Sequence, residues 1–411
     1  MPSTLPTGEP APLDGSLPAG ALRDLSRTPF GFYLHIPFCA TRCGYCDFNT
    51  YTASELTARD GSSTVTQTSY IELLLAEIRL ARRTLGDTVP PIQTIFVGGG
   101  TPSLLPADHL GSAIAEIRAE FEVADDVEIT TEANPESVSP GYLRRLRENG
   151  FNRLSLGMQS ASPHVLAVLD RTHTPGRAVA AVAEARSAGF EHINLDLIYG
   201  TPGESEDDWQ HTLDTALGAD PDHISAYSLI VEEGTALAAR VRRGEIPAPD
   251  EDVHADRYEQ ADLALRKAGL LWYEVSNWAA SPPARCRHNE IYWQGGNWWG
   301  AGPGAHSHVG GVRWWNVKHP AAYAARVESN LSPAHGRELL THQQRDMESI
   351  MLRLRLREGI ALNDLTFQQR QTAADMVGYQ LLHRGEFEDG RAVLTLRGRL
   401  LADAVVRDLV A

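Results

Sequence analysis

The sequence predicts an α/β protein whose main domain is a partial parallel barrel of six β/α units. Short apolar, β-prone segments recur six times, and segments with helical three- and four-residue spacing lie between them. In these strands the polar residues of chemical interest stand at or near the C-terminal end, where barrels assemble their sites. An open doubly wound sheet also fits the alternation. An open sheet, however, places its site only near the switch point of its strand order. Polar residues at the ends of so many strands therefore favour the barrel.

The barrel is predicted to lie within residues 29–270. The predicted strands are, in chain order, residues 31–38, 92–100, 127–135, 152–160, 192–200 and 223–231. The clearest predicted helix covers residues 70–85, where apolar residues fall at three- and four-residue intervals. Several later helical segments end in glycine, as helix C-termini often do.

Three segments outside the barrel differ from it in composition. Residues 1–28 are rich in Pro, Ala and Gly and are predicted to form a mobile tail. Residues 271–340 are predicted to be an extension of the barrel, because they are aromatic and glycine-rich without clear periodicity. Residues 341–411 are predicted to form a smaller, mainly helical C-terminal domain of winged-helix type with a small hairpin.

Composition and charge exclude several classes of protein. The formal net charge of -16 argues against a nucleic-acid partner, which normally requires a basic face. Residues 1–28 lack the basic start and apolar block of a signal peptide. No segment approaches the roughly 18 apolar residues of a membrane span. We therefore expect a cytoplasmic protein whose thiols stay reduced.

Three of the four cysteines lie in the stretch CATRCGYC, at Cys39, Cys43 and Cys46. Clustered thiols in a reducing compartment more often bind metal or do redox chemistry than form disulfides. Structural zinc takes four protein ligands, so a lone triplet fits zinc only if a distant His or Cys completes the site. In a 4Fe–4S cluster, three thiolates hold three irons and leave the fourth open. We expect such a cluster in preference to zinc or to three incidental cysteines.

Two further features predict a small-molecule site beside this loop. The run GGGTP at 98–102 ends the second predicted strand, where glycines let a ligand approach the backbone and their amides meet a carboxylate. A tight turn is the simpler alternative, and the lysine of a Walker loop is missing. Glu132 ends the third predicted strand and is suited to accept hydrogen bonds from an amino group or a ribose. The alternative role for Glu132 is to cap the helix that begins near Ser139.

The cysteine spacing resembles that of radical S-adenosylmethionine (SAM) proteins, in which the amino and carboxylate groups of SAM chelate the open iron. The stretches YxHIPFC, GGGTPS, EANPES, LGMQS, LxRTH and DLIYGTPGE occur in that order. They resemble the oxygen-independent coproporphyrinogen III oxidases and their relatives, from about residue 31 to 316. The resemblance implies a TIM-like partial barrel of the radical-SAM type.

The resemblance also implies which residues bind SAM. The SAM that is cleaved is expected at Tyr33, Gly99, Glu132 and the cysteine cluster. A second SAM is expected near Tyr45, Gly100, Thr101, Gln159, Arg171 and Asp196. No catalytic residue is assigned.

One position departs from the oxidases. In those enzymes a fourth cysteine follows the third by two residues, and this chain has Phe48 at that place. The difference points to the sister branch, the heme chaperones that insert heme into respiratory proteins.

A second motif points to the same branch. The stretch RHNEIYW at 287–293 matches the HNxxYW motif, which is associated with heme binding in the chaperones, through His288, Asn289, Tyr292 and Trp293. A neutral His is a good axial ligand for heme iron, and aromatic rings offer flat faces to a porphyrin. A hydrogen-bonded core histidine among packed aromatic residues is the alternative. Other candidate ligands nearby are His306, His308 and Cys286.

The sequence therefore predicts a heme chaperone on a radical-SAM scaffold, which transfers heme to acceptor proteins. The alternative is a coproporphyrinogen III dehydrogenase that uses a SAM-derived radical to decarboxylate propionates in porphyrin biosynthesis. A protein with only a structural metal is the least supported alternative. The expected cofactors are a 4Fe–4S cluster, SAM and heme, and cleavage of SAM is left open. The expected partners are heme and a heme-acceptor protein, membrane-associated acceptors included, with no nucleic acid and no transmembrane segment.

Overall fold

A computed structural model describes residues 6–23, 25–56 and 65–411. The strands are β1 (Glu9–Pro10), β2 (Phe30–Ile36), β3 (Ile92–Gly99), β4 (Val123–Ala133), β5 (Arg153–Gln159), β6 (His192–Tyr199), β7 (His223–Ser228), β8 (Leu271–Glu274), β9 (Asn277–Ala279), β10 (Asn297–Ala301), β11 (His306–Val309), β12 (Val312–Asn316), β13 (Ala334–Leu339), β14 (Ile360–Ala361) and β15 (Arg391–Ala392).

The helices complete the order of elements. They are α1 (Ala53–Leu56), α2 (Gln67–Leu85), α3 (Ala107–Glu120), α4 (Pro140–Glu148), α5 (Pro163–Val168), α6 (Arg177–Ser187), α7 (Glu206–Gly218), α8 (Ala236–Arg242), α9 (Glu251–Lys267), α10 (Arg287–Trp293), α11 (Pro320–Glu328), α12 (His342–Arg353), α13 (Phe367–Gly378), α14 (Arg384–Glu388), α15 (Leu396–Leu400) and α16 (Ala402–Val410).

The centre of the fold is a run of six parallel strands, β2 to β7, which are neighbours in the sheet in the same order as in the chain. All six were predicted from the sequence, and the predicted α/β class is confirmed. The order does not reverse within this run, whereas a doubly wound sheet has a switch point where it does. The arrangement therefore agrees with successive β/α units of a barrel.

The two faces of these strands differ in chemistry. Phe32, Leu34 and Ile36 of β2 are buried and belong to the main hydrophobic core. The alternate position Tyr33 and the equivalent Glu132 of β4 instead line a cavity on the other face. Because side chains alternate between the faces of a strand, one sequence supplies both surfaces. The outer face packs against the helices, and the inner face is left for polar groups.

The aromatic segment 271–340 extends the sheet at both of its edges. Strands β9 and β8 continue the sheet beyond β7, whereas β10 pairs in parallel with β2 and is followed by β11, β12 and β13. The sequence predicted one extension without clear periodicity, and its strands join the sheet at two separate edges. Helix α10 connects the two edges and packs against β2, β3 and β10. It therefore lies across the inner face of the barrel.

The N-terminal segment differs from the predicted mobile tail. Strand β1 pairs with β13 at the outer edge of the sheet, and the amide of Ser332 donates to the carbonyl of Leu13. Ala21 and Leu25 are buried in the main core. The apolar residues scattered among the prolines supply this packing, which composition alone did not reveal. Residues 1–5 and 24 of the predicted tail lie outside the described residues.

The C-terminal domain has its own hydrophobic core, built from α12, α13, α16 and the short β14–β15 pair. Strand β13 ends at Leu339 and α12 begins at His342. A mainly helical domain with a small β element is what the sequence predicted. Among the described residues, no helix combines the length and the apolar character needed to cross a membrane.

Candidate functional site

The three cysteines follow β2 in a loop that the rest of the barrel holds in place. The amide of Cys39 donates to the carbonyl of Tyr51 at 3.0 Å. The side-chain amide of Asn49 donates to the carbonyls of Pro303 and Lys318, both at 2.9 Å. These bonds connect the cysteine loop to the segments next to β10, β11 and β12, which extend the sheet beside β2.

The thiols of the loop are half-buried and close enough to influence one another. Burial raises the pKa of Cys39. Burial also raises the pKa of Cys46 to about 11, and the thiols of Cys39 and Cys43 make smaller contributions in the same direction. The guanidinium of Arg171 donates to the sulfur of Cys43 at 3.3 Å. No group of three His, Cys, Asp or Glu side chains in the described part of the chain is arranged to hold a metal ion. Deprotonation of buried thiols is the change that iron binding supplies.

The glycine run at the end of β3 lies directly against the cysteine loop. The amides of Gly100 and Thr101 donate to the carbonyls of Ile36 and Phe38, each at 2.7 Å. A Cβ atom on Gly100 would lie 2.5 Å from the Phe38 carbonyl oxygen, so only glycine permits this approach. Gly99 has a φ of 114°. The glycine run therefore packs the end of β3 closely against the segment that follows β2, in addition to any role in binding a ligand.

Glu132 points toward the glycine run and not toward a helix. Its carboxylate accepts a hydrogen bond from the amide of Gly99 at 2.9 Å. The cap of α4 is Ser139, whose side chain accepts from the amide of Tyr142. The capping role considered for Glu132 is therefore excluded. Burial, and next the nearby Asp196, raises the pKa of Glu132 to about 8.

This pKa predicts a pH dependence of SAM binding. The amino group of SAM donates hydrogen bonds best to a carboxylate, and below about pH 8 Glu132 is mostly protonated. Titration of Glu132 should therefore raise the SAM affinity of wild type relative to Glu132→Gln about tenfold between about pH 7 and about pH 9. Equilibrium dialysis with labelled SAM measures the effect.

The matched variants for this experiment are Glu132→Gln and Glu122→Gln, the second at an exposed position just before β4. The amino group of SAM titrates in the same window, but it does so equally in every protein. Glu122→Gln should keep the slope of wild type, and Glu132→Gln should flatten it. An unchanged slope in Glu132→Gln would remove Glu132 from the binding site.

A cavity of about 220 Å³ opens between the inner face of the barrel and α10. Its lining residues are Tyr33, His35, Phe48, Phe96, Gly99, Glu132, His288, Asn289 and Tyr292. The structure thus brings together the three residues outside the cysteine loop that were predicted to bind the cleaved SAM. It places three residues of the HNxxYW motif in the same cavity, which the sequence did not predict.

The residues predicted for a second SAM lie near the cysteine loop and near Glu132. Tyr45, Arg171 and Asp196 lie within electrostatic range of one another and of the thiols. Arg171 also donates to the carbonyl of Gly157 at 3.1 Å, next to Gln159, which is buried at the end of β5 with a φ of 68°. Asp196 accepts hydrogen bonds from Ser155 and Asn194. Gly100 and Thr101 lie beside the loop itself, where the Thr101 hydroxyl is 3.8 Å from the sulfur of Cys39.

His288 occupies the position of a core histidine. It is 1% exposed, and burial lowers its pKa to about 3, so the ring is neutral. Its Nδ1 atom shares a hydrogen bond with the Thr94 hydroxyl at 2.7 Å, and its Nε2 atom shares one with the Tyr292 hydroxyl at 2.8 Å. The ring stacks on Phe96 with centroids 5.2 Å apart. In this conformation neither nitrogen of the predicted axial ligand is available to iron.

The other residues of the motif also have internal partners. Asn289 and Trp293 donate to the buried carboxylate of Glu274 in β8. Burial raises the pKa of Glu274 to about 7, and these hydrogen bonds act in the opposite direction. The ring of Tyr292 meets that of Trp298 edge-on at 4.6 Å. Trp293 lies outside the lining of the cavity. The motif therefore fixes α10 inside the barrel.

Two lining residues escaped the sequence analysis. His35 bonds the Tyr33 hydroxyl through Nδ1 and the carbonyl of Asn49 through Nε2. Phe96 lies between Tyr33 and His288 and stacks on both rings. The two-residue spacing from Tyr33 to His35 was the available signal, since both side chains must then point to the same face.

A barrel whose first parallel strand leads into a three-thiol loop, beside a glycine run and a buried carboxylate, defines the class of radical-SAM proteins. The donor types fit an iron–sulfur cluster, because three half-buried thiols share one loop and Arg171 lies beside one of them. The family model of the radical SAM superfamily matches residues 33–216.

Known proteins define the family more closely. The chain is 52% identical to "Heme chaperone HemW" of Mycobacterium tuberculosis over 382 residues, which cover 93% of this chain and 95% of that protein. It is 31% identical to the Bacillus subtilis protein of the same name, over 91% of this chain and 97% of the relative. Coproporphyrinogen III oxidase HemN of Escherichia coli shares the fold, with a TM-score of 0.79 at 22% identity over 95% and 92% of the two chains. The chain belongs to the radical-SAM superfamily and, within it, to the HemW family.

Membership of the superfamily implies a 4Fe–4S cluster and SAM. In this chain Cys39, Cys43 and Cys46 are the residues that would hold the cluster. Tyr33 and Glu132 are those that would face SAM. A reduced cluster of this class supplies an electron for cleavage of the SAM sulfonium bond. The contribution of the chain is to bury the thiols in part and to place Arg171 beside one of them.

Proposed function

We propose that this protein is a heme chaperone, which binds heme and transfers it to an acceptor protein in the cytoplasm or at the membrane surface. The observation that supports this function is the identity of 52% with a heme chaperone along almost the whole of both chains. The HNxxYW motif and the phenylalanine in place of a fourth loop cysteine agree with it.

Heme binding by His288 requires α10 to change its position. Both ring nitrogens are hydrogen-bonded, and the side chain is shielded from solvent on the inner face of the barrel. Ligation of iron would break at least one of these two bonds. His308 and His306 are half-buried on the neighbouring β11, and the first bonds the carbonyl of Gly296 through Nδ1. They are the histidines outside α10 that the sequence offered as alternative ligands.

Heme titration tests the function and locates the ligand. Wild-type protein should give a Soret band of bound heme with saturable, one-to-one binding. His288→Ala should weaken binding by about tenfold or more, because an axial ligand is lost. His306→Ala and His308→Ala are the matched controls, since each removes one nearby imidazole. No Soret change in wild type would contradict the proposed function, and a loss confined to His308→Ala would move the site to β11.

A second assay separates the chaperone from the oxidase. Reconstituted protein supplied with coproporphyrinogen III, SAM and a reductant should form no protoporphyrinogen, because Phe48 stands where the oxidases have a cysteine. The likeness to the oxidase structure extends to the fold alone, at 22% identity. Sustained turnover would contradict the chaperone assignment, and product analysis by chromatography would detect it.

A further inference from the structure

The cavity beside the cysteine loop has two walls from distant parts of the chain. Strands β2, β3 and β4 contribute Tyr33, Gly99 and Glu132 on one side. Helix α10 contributes Asn289 and Tyr292 on the other. The first wall carries the residues expected to bind the cleaved SAM, whereas the second carries a motif expected to bind heme. One cavity thus combines two predicted sites.

The chemistry of both walls suits a cation. The rings of Tyr33, Phe96 and Tyr292 line the same cavity as the half-buried carboxyl group of Glu132. Aromatic faces attract cations, and a carboxylate holds an ammonium group with charge-assisted hydrogen bonds. SAM carries a sulfonium cation, and its amino group donates hydrogen bonds.

His288 holds the second wall in place. Its ring lies between the Thr94 hydroxyl on β3 and the Tyr292 hydroxyl one helical turn away, with both nitrogens bonded. A Cβ atom on Gly31 would lie 2.4 Å from the Thr94 hydroxyl oxygen and 3.1 Å from Nδ1 of His288, so the glycine allows α10 to approach β2. The contacts of His288 with β2 and β3 therefore fix the position of its hydrogen-bond partner, the Tyr292 hydroxyl.

We infer that α10 is a wall of the SAM site, in which Asn289 and Tyr292 contact SAM and His288 is the residue that positions Tyr292. The inference rests on the SAM site that the resemblance to radical-SAM proteins assigns to Tyr33, Gly99 and Glu132, and it does not require heme binding. It gives the HNxxYW motif a role that does not depend on iron ligation.

A consequence for heme follows from the same contacts. If His288 ligates heme iron, α10 leaves the inner face and the second wall of the SAM cavity is lost. SAM held in the cavity and heme held by His288 therefore exclude each other. Saturating SAM should lower the heme affinity of wild-type protein, and heme should lower SAM affinity by the same factor.

The experiment measures SAM affinity of protein with a reconstituted cluster, by equilibrium dialysis with labelled SAM. Tyr292→Phe removes one hydroxyl from α10, and Thr94→Val removes the other partner of His288 from a strand outside the motif. Each should weaken SAM binding roughly threefold to tenfold, as expected for one buried hydrogen bond. Tyr379→Phe makes the same chemical change on the exposed surface of the C-terminal domain and should leave SAM affinity unchanged. Iron content and circular dichroism confirm cluster and fold in each variant.

Heme titration of the same samples separates this inference from the proposed function. Weaker SAM binding in both variants supports the inference, whether or not wild-type protein binds heme. Unchanged SAM affinity in Tyr292→Phe and Thr94→Val, with normal heme binding by wild type, would overturn the inference and leave the chaperone function standing. Loss of SAM binding in Tyr292→Phe alone would limit the wall to that residue and refute the positioning role of His288.

Discussion

Replacing Cys43 with alanine is expected to remove the iron–sulfur cluster. Cys43 is the middle ligand of the loop, and its sulfur is the one that Arg171 contacts at 3.3 Å. Two remaining thiols cannot hold three irons, so iron should fall from about four atoms per chain to below about one after anaerobic reconstitution. Analysis of iron and acid-labile sulfide measures the loss, and SAM binding should be lost with the cluster.

The fourth cysteine provides the control. Cys286 is buried at the start of α10, away from the loop, with its sulfur 3.7 Å from a carboxylate oxygen of Glu128. Burial raises the pKa of this thiol well above its ordinary value, and it stays protonated. Cys286→Ala should keep about four irons. An intact cluster in Cys43→Ala, or its loss in Cys286→Ala, would show that the ligands are wrongly assigned.

Replacing Arg399 with alanine is expected to destabilise the contact between the two domains by about 3–5 kcal/mol. The guanidinium of Arg399 donates to Asp262 at 2.9 Å, and the two side chains are only 9% and 2% exposed. It also lies over the rings of Trp272 and Tyr258, at 4.5 and 5.4 Å from their centroids. The variant leaves the buried carboxylate of Asp262 with the more distant and exposed Arg266, at 3.8 Å, as its cationic partner. Urea titration followed by tryptophan fluorescence reports the change, because Trp272 and Trp278 lie at the contact.

The neighbouring Arg397→Ala is the matched control. Arg397 is exposed on the same helix, α15, and contacts the carbonyl of Tyr379 within its own domain. Its loss should change the free energy of unfolding by no more than about 0.5 kcal/mol. Equal losses in the two variants would mean that the interdomain ion pair contributes nothing of its own.

Much of the barrel was predictable because its signals are local. Each parallel strand shows as a short apolar segment, and the spacing of three cysteines identifies the loop without reference to the fold. Glu132 and Asp196 were found because strand ends of a parallel sheet converge at one edge. The cavity residues Tyr33 and Gly99 came from resemblance to a family, and the structure places them side by side.

The position of α10 was not predictable in the same way. The HNxxYW motif is visible in residues 287–293. No local pattern, however, predicts the hydrogen bond between His288 and Thr94, which lies 194 positions earlier in the chain. The division of 271–340 between two sheet edges also depends on long-range pairing, such as that of β10 with β2. The pairing of the N-terminal segment was not predicted for the same reason, because Glu9 of β1 pairs with Arg337 of β13, far along the chain.

The route of α10 from one sheet edge to the other has a consequence for the order of assembly. The helix can dock only after β7 has received β9 and β2 has received β10, and both pairings join segments far apart in sequence. Such contacts form late in folding, because closing long loops costs entropy before the contacts stabilise the chain. We therefore expect the interior to stay open while the six parallel strands form. The cavity between the barrel and α10 would then be completed only when this helix docks.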